Sequence, residues 1–211
     1  MFIKHTAILK KGRLLDIVSV PFGNKEVIIL IRTFVAVDIP EKLKKGFEDI
    51  LSDLNAIKGI KVVHPSNIHV TLKFLGDVKT SRIPDVIERL DEVKASPFMC
   101  RIEMVGVFPS SSRPRIIWLG LGGQFDNLHL QVEHALDGMG FKKDKHEYIS
   151  HATIGRVKFL KGEQKEKLKN FLQEYGDKYF GEFEVTSFKL KKSTLTPEGP
   201  IYETLHEFSL Q

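Results

Sequence analysis

The chain has 211 residues, 42% of them hydrophobic and 28% charged, with a formal net charge of +5. That length builds one large or two small packed lobes, and the composition is globular rather than disordered or fibrous. One cysteine, Cys100, excludes an internal disulfide and fits a reducing, cytoplasmic setting, while no apolar run approaches the ~18 residues that span a bilayer.

In chain order, residues 1 to 30 carry mixed charges with Pro21 and Gly23, and Lys4, Lys10, Lys11 and Arg13 make them a poor signal peptide. They are read as an extension not needed for the fold, and residues 31 to 211 as one two-lobed domain. Thr33 to Asp38 is a β-branched apolar run, a buried strand. Pro40 suits a first helical position, and Leu43, Phe47, Ile50, Leu51 and Leu54 follow at helical spacing. Ile60 to Val63 and Ile68 to Leu75 read as strands around a Pro65-Ser66-Asn67 turn. A helix carrying Ile83, Val86, Ile87, Leu90 and Val93 leads to strands at Phe98 to Val107 and Arg115 to Leu121. After Gly122-Gly123, a helix with Phe125, Leu128, Val132, Leu136 and Met139 ends at Gly140. A strand at Tyr148 to Val157, a helix at Gly162 to Tyr175, and strands at Glu182 to Thr194 and Tyr202 to Leu210 complete the chain.

Two stretches repeat one pattern: His69-Val70-Thr71-Leu72 and His151-Ala152-Thr153-Ile154, with the histidines 82 residues apart (151 − 69) and each tetrad preceded by a predicted helix. On a strand, residues i and i+2 share a face. Each tetrad therefore aims an imidazole and a hydroxyl one way and an apolar pair the other. The repetition predicts an internal duplication, two α+β lobes with the tetrad strands facing a shared groove. Either tetrad alone is more often a structural or surface feature than a catalytic one; the pairing reverses those odds.

Two imidazoles suit acid–base chemistry on a phosphate, one taking a proton while the other gives one. Thr71 and Thr153 supply hydroxyl donors for non-bridging phosphate oxygens. Arg156, five residues after His151, offers a bidentate contact to phosphate, and Phe74, at the matching place after His69, offers a ring for a base. Strict alternation puts an i+5 residue on the wrong face, so the strand must end, twist or bulge first, and Gly155 eases this in the second copy. Lys73, at i+4, lies on the histidine's face without distortion and is a reserve phosphate contact. His129 and His134 read as surface residues, and Lys189, Lys191 and Lys192 as a solvated strand edge. His146 and His151 lack the partners of a metal site.

The chain strongly resembles the two-histidine phosphoesterases of the ThpR/LigT branch, RNA 2′,3′-cyclic phosphodiesterases historically called 2′-5′ RNA ligases. The resemblance rests on Arg32-Thr-Phe-Val-Ala-Val-Asp38, His69 to Gly76, Gly106-Val-Phe-Pro109, Arg115 to Gly120, His151 to Arg156 and Ser193 to Tyr202. In that branch a methionine usually precedes the Arg-x-Phe motif. Ile31 stands there in this chain, which supports reading residues 1 to 30 as an extension and raises start-codon misassignment as its origin.

The resemblance implies an α+β, bilobal fold: two pseudo-symmetric antiparallel-sheet lobes, helices outside, and the active-site cleft between them. It implies no metal and no other cofactor, His151 as general base on water and His69 as general acid on the ribose O3′. It further implies that Arg156 stabilises the transition state and Phe74 stacks on the terminal base. The expected partners are RNA ends bearing 2′,3′-cyclic phosphate, tRNA halves or small cyclic nucleotides, for a cytoplasmic monomer with no membrane attachment. Joining RNA halves through a 2′,5′ linkage and non-catalytic binding of RNA ends are the rival readings.

Overall fold

A computed structural model describes residues 28–143 and 147–211. The proposed extension therefore lies, as far as residue 27, outside the described residues. Its last residues do pair: Leu30 partners Lys79, and the Ile29 carbonyl accepts from the Thr80 amide.

Strand β1 (Leu30–Asp38) leads into a helical stretch of α1 (Glu41–Lys44), a 3-10 turn (Lys45–Phe47) and α2 (Glu48–Asn55). The single helix expected here is thus segmented, in a stretch containing Gly46, a poor helix former. Next come β2 (Ile60–Val62), β3 (His69–Lys79), α3 (Ile83–Asp91), β4 (Phe98–Phe108) and β5 (Ile116–Gly122). The chain continues with α4 (Phe125–Ala135), β6 (His151–Val157), α5 (Glu163–Tyr175), β7 (Tyr179–Val185), β8 (Ser187–Leu195) and β9 (Pro200–Ser209). Helix α4 stops short of Met139, and β6 starts at the histidine rather than at Tyr148.

The nine strands of the described residues join one antiparallel sheet in the order β7-β4-β5-β6-β3-β1-β8-β9, with β2 beside β6. The two lobes are the halves of this sheet. They meet where β3 and β6 touch through one pair, Val70 with Ala152. Beyond that pair the strands part, and β2 takes up the edge of β6 from Gly155 to Val157.

The expected single strand from Glu182 to Thr194 is two strands. β7 pairs with β4 in one half, whereas β8 pairs with β1 in the other. The break at Thr186 has no glycine or proline to announce it, and its carbonyl accepts from the Leu210 amide. Each half of the chain thereby lends strands to both lobes.

Alternation accounts for the core. Val35, Val37, Val70, Leu72, Ala152 and Ile154 are all buried on one side of the sheet. Phe47 and Leu54 before β3, Phe125, Leu128 and Val132 of α4, and Leu168 and Phe171 of α5 fill the same core. Each such side chain contributes about 1.5–3 kcal/mol of burial. The Tyr175 hydroxyl donates to Asp53 Oδ2 at 2.5 Å, tying α5 to α2. The apolar tetrad positions are thus spent on the core, and the opposite face carries the histidines and threonines. Among the described residues, no helix is long and apolar enough to cross a membrane.

Candidate active site

The Val70–Ala152 pair fixes the site. Extending its antiparallel register by one residue sets His69 across from Thr153 and Thr71 across from His151. Both imidazoles and both hydroxyls then lie on the face opposite the core, the histidines on a diagonal. A tetrahedral phosphate placed between them meets a nitrogen on each side and a hydroxyl beside each nitrogen.

The two imidazoles are held alike. His69 Nδ1 lies 2.8 Å from the Asn67 carbonyl, and His151 Nδ1 lies 2.7 Å from the Ile149 carbonyl, in each case two residues upstream. A carbonyl only accepts, so Nδ1 carries the proton and Nε2 is left for the cleft. His69 Nε2 lies 3.1 Å from Thr71 Oγ1, whose hydroxyl donates to the neutral ring. Aromatic rings wall each histidine. Phe34 and Tyr202 stand 5.0 and 5.1 Å from His69, and Phe108 and Trp118 stand 5.0 and 6.4 Å from His151.

The i+5 residues reach the histidine face through a bulge repeated at the same place in both copies. In β3, Thr71 and Lys73 partner Ala36 and Val35, leaving Leu72 as the extra residue. In β6, Thr153 and Gly155 partner Trp118 and Ile117, leaving Ile154 extra. Each extra residue is the third after its histidine. Each bulge reverses the parity of the residues beyond it, so Phe74 and Arg156 emerge exposed on the cleft side.

The same bulge overturns the reserve role of Lys73. The parity change turns Lys73 into the protein, where it is 2% exposed, ion-paired with Glu133 of α4 and donating to the Lys142 carbonyl. Its counterpart in the second copy is the buried Gly155, where a Cβ would come within 2.9 Å of Leu54. His129 is likewise buried rather than superficial. Its ring stacks on Tyr148 at 4.1 Å, and Nδ1 donates to the Leu72 carbonyl that the bulge frees, at 2.8 Å. His134 is exposed as expected, and residue 146 lies outside the described residues.

Three side chains of the cleft were not legible as site residues. Tyr202 arrives on β9 beside His69, its approach fixed by Asn67 Nδ2 donating to the Pro200 carbonyl at 2.9 Å. Lys61 of β2 is the cross-strand partner of Arg156 and so adds a second cation to that face. Its Nζ donates to the Glu198 carbonyl at 3.4 Å, in the turn between β8 and β9. Lys191 is buried with its ammonium 2.5 Å from Asp38 Oδ1, and Lys189 lies 3.2 Å from the other oxygen. The solvated-edge reading therefore fails for Lys191. Burial raises the Asp38 carboxyl, but these two ammonium groups outweigh it and hold the carboxyl below its usual range. Lys73 and the β8 lysines look alike in sequence; only the partners the fold brings to them, Glu133 of α4 and Asp38 of β1, separate them.

Burial, partly offset by the Asn67 carbonyl and reinforced by Lys191, lowers the His69 pKa to about 4. Burial lowers His151 as well, with the Ile149 carbonyl opposing and the Arg156 charge adding to the effect. Both rings are therefore neutral in the empty site at pH 7. Since the folded His69 pKa lies below the unfolded one, its contribution is present above about pH 6.5 and lost as pH falls toward about 4. Denaturant titrations should show wild type losing up to about 3 kcal/mol more than His69→Gln over that window. Equal slopes would mean that His69 is not held neutral by burial.

The family model described as LigT like Phosphoesterase matches residues 37–118 and again residues 121–202, each match carrying one tetrad. An RNA 2′,3′-cyclic phosphodiesterase of Archaeoglobus fulgidus is 40% identical over 179 residues, 84% of this chain and 99% of the relative. One from Methanocaldococcus jannaschii is 39% identical over 178 residues, again 84% of this chain and 99% of the relative. The crystal structure of TT0787 of Thermus thermophilus superposes with a TM-score of 0.73 at 25% identity, over 85% of this chain and 98% of its own. E. coli LigT complexed with 3′-AMP superposes at 0.71 with 18% identity, over 87% and 99%, a likeness of fold.

Proposed function

The chain belongs to the LigT-like phosphoesterase family, and from that premise we propose that it opens RNA 2′,3′-cyclic phosphate ends to 2′-phosphate ends with its two histidines and no metal. It is a cyclic phosphodiesterase, as its relatives at 39–40% identity are. The observation that carries the mechanism is the matched pair of Nδ1–carbonyl bonds, which leave one Nε2 per tetrad facing the cleft.

In this reading the cyclic phosphate sits between the histidines with its non-bridging oxygens on the Thr71 and Thr153 hydroxyls. His151 Nε2 takes a proton from water as the water oxygen bonds to phosphorus. The P–O3′ bond breaks, and O3′ takes the proton carried on His69 Nε2. The product is a 2′-phosphate with a free 3′-hydroxyl, and exchange with solvent takes the proton from His151 and returns one to His69. Arg156 meets the charge that gathers on the phosphorane oxygens, Lys61 adds to the same potential, and Phe74 stacks on the terminal base.

His69 has to be protonated to act, which its low pKa opposes in the empty site. The anionic substrate corrects this, because a negative charge beside the ring favours the imidazolium. The alkaline limb of the kcat profile should therefore lie at higher pH than that of kcat/KM, which reports the free enzyme. Coincident limbs would remove the substrate-induced shift.

The assay is an RNA oligomer ending in a 2′,3′-cyclic phosphate, incubated with excess EDTA. Conversion to the 2′-phosphate is expected at the rate seen without chelator. No conversion, or conversion only after metal is restored, rejects the proposal. The same incubation with paired RNA halves reads ligation as joined product.

A further inference from the structure

Away from the histidines, the end of β6, helix α5 and the β4–β5 connection enclose a groove of about 1040 Å³. Arg113, Arg115, Lys158, Lys165 and Lys169 line it, against one carboxylate, Glu166. Among the described residues the first four make no ion pair, and Lys169 reaches Glu166 only at 3.9 Å, an exposed contact of little energetic value. The walls between these cations are apolar, formed by Leu160, Leu168 and Leu172. At the mouth, Phe159 exposes 58% of its surface. The backbone beneath it is anchored, since the Lys158 and Phe159 amides both donate to the Gly59 carbonyl, at 2.8 and 3.3 Å. Gly59 adopts φ +93, and a Cβ there would lie 2.0 Å from the Phe159 carbonyl oxygen, so the two backbones are in close contact.

A groove lined with cations, four of the five without an ion-pair partner among the described residues, and an exposed aromatic ring on an anchored backbone is the composition that holds single-stranded nucleic acid, cations on phosphates and a base on the ring. An acidic peptide would use the cations but give the ring no planar partner. The groove begins at the end of the sheet that carries Arg156: Val157 and Lys158 follow it in the chain, Arg115 precedes its cross-strand partner Ile116, and all three line the groove. Phe74 and Arg156 lie toward opposite ends of the cleft, because β3 and β6 run antiparallel. A terminal base at Phe74 leaves the groove end free for the rest of the strand.

We infer that this groove binds the body of the RNA, the nucleotides upstream of the reacting end, and so sets the preference for RNA over small cyclic phosphates. The inference rests on the reading of the chain as an enzyme of RNA ends.

The test compares one cyclic-phosphate-ended oligoribonucleotide with the 2′,3′-cyclic mononucleotide of the same terminal base. Lys158→Glu/Lys165→Glu and Phe159→Ala should each raise KM for the oligomer, by ~10-fold or more for the charge reversal, with a shallower salt dependence. Mononucleotide turnover should stay at the wild-type value, which also reports that the variants fold. Equal changes on both substrates, or none on the oligomer, would overturn the inference. To separate it from the catalytic reading, binding of the same oligomer with a plain 3′-hydroxyl is measured by fluorescence anisotropy on the His69→Ala/His151→Ala protein. A groove-dependent loss of that binding supports the groove even if wild type turns over neither substrate. Displacement of the oligomer by polyglutamate as readily as by unlabelled RNA rejects RNA as the occupant.

Discussion

Alanine at either His69 or His151 is expected to lower kcat on an RNA 2′,3′-cyclic phosphate by ~10²-fold or more, the range lost with a general acid or base. KM should change little, since both rings are neutral in the free site and the phosphate is held by the hydroxyls and cations. The two substitutions should also differ from each other in a measurable way. A phosphodiester whose leaving group is a nitrophenol departs without protonation, so His69→Ala should recover most of its rate on that substrate. His151→Ala should not, because water still needs a base. Recovery in both, or in neither, would reject the assignment of His69 to the leaving group. Combining the substitutions should cost little beyond the worse single one, as groups acting in one step are not additive.

This distinction is the part of the site that the tetrads could not carry, because they are nearly equivalent in sequence. They did carry the placement of His69, Thr71, His151 and Thr153 on one face, since period-2 alternation is local and each tetrad precedes its bulge. From the third residue onward local alternation fails. The need for an irregularity before Phe74 and Arg156 was legible, and Gly155 marked it in one copy. In the other copy a lysine occupies that position, and nothing about Lys73 alone shows that α4 will present Glu133 to it. Phe34, Tyr202, Phe108 and Trp118 reach the histidines, and Lys61 reaches Arg156, only through the sheet order. That order depends on β7 and β8 separating at Thr186, where no glycine or proline interrupts the pattern. The strands were therefore readable, and their partners were not.

The bulge in β3 supplies the second large expected effect, and it concerns stability. Lys73 is 2% exposed and Glu133 19%, so removing the carboxylate leaves an ammonium in the protein without a counter-charge. Glu133→Ala should destabilise the fold by about 3 kcal/mol, the lower end of the range for breaking a buried pair because Glu133 keeps some contact with water. Lys73→Met/Glu133→Leu removes both charges at similar volume and should be close to neutral in a denaturant titration. The double variant should also keep its KM for the cyclic phosphate and the salt dependence of that KM. A lysine on the phosphate would behave oppositely: Lys73→Met would raise KM steeply at low salt, and Glu133→Ala would leave stability unmoved. Because the Lys73 turn inward and the Phe74 turn outward arise from the same extra residue, Leu72, loss of the pair should also loosen the ring at position 74. The expected signature is a higher KM for the oligomer and the cyclic mononucleotide alike in Glu133→Ala, restored when Lys73 is made apolar as well.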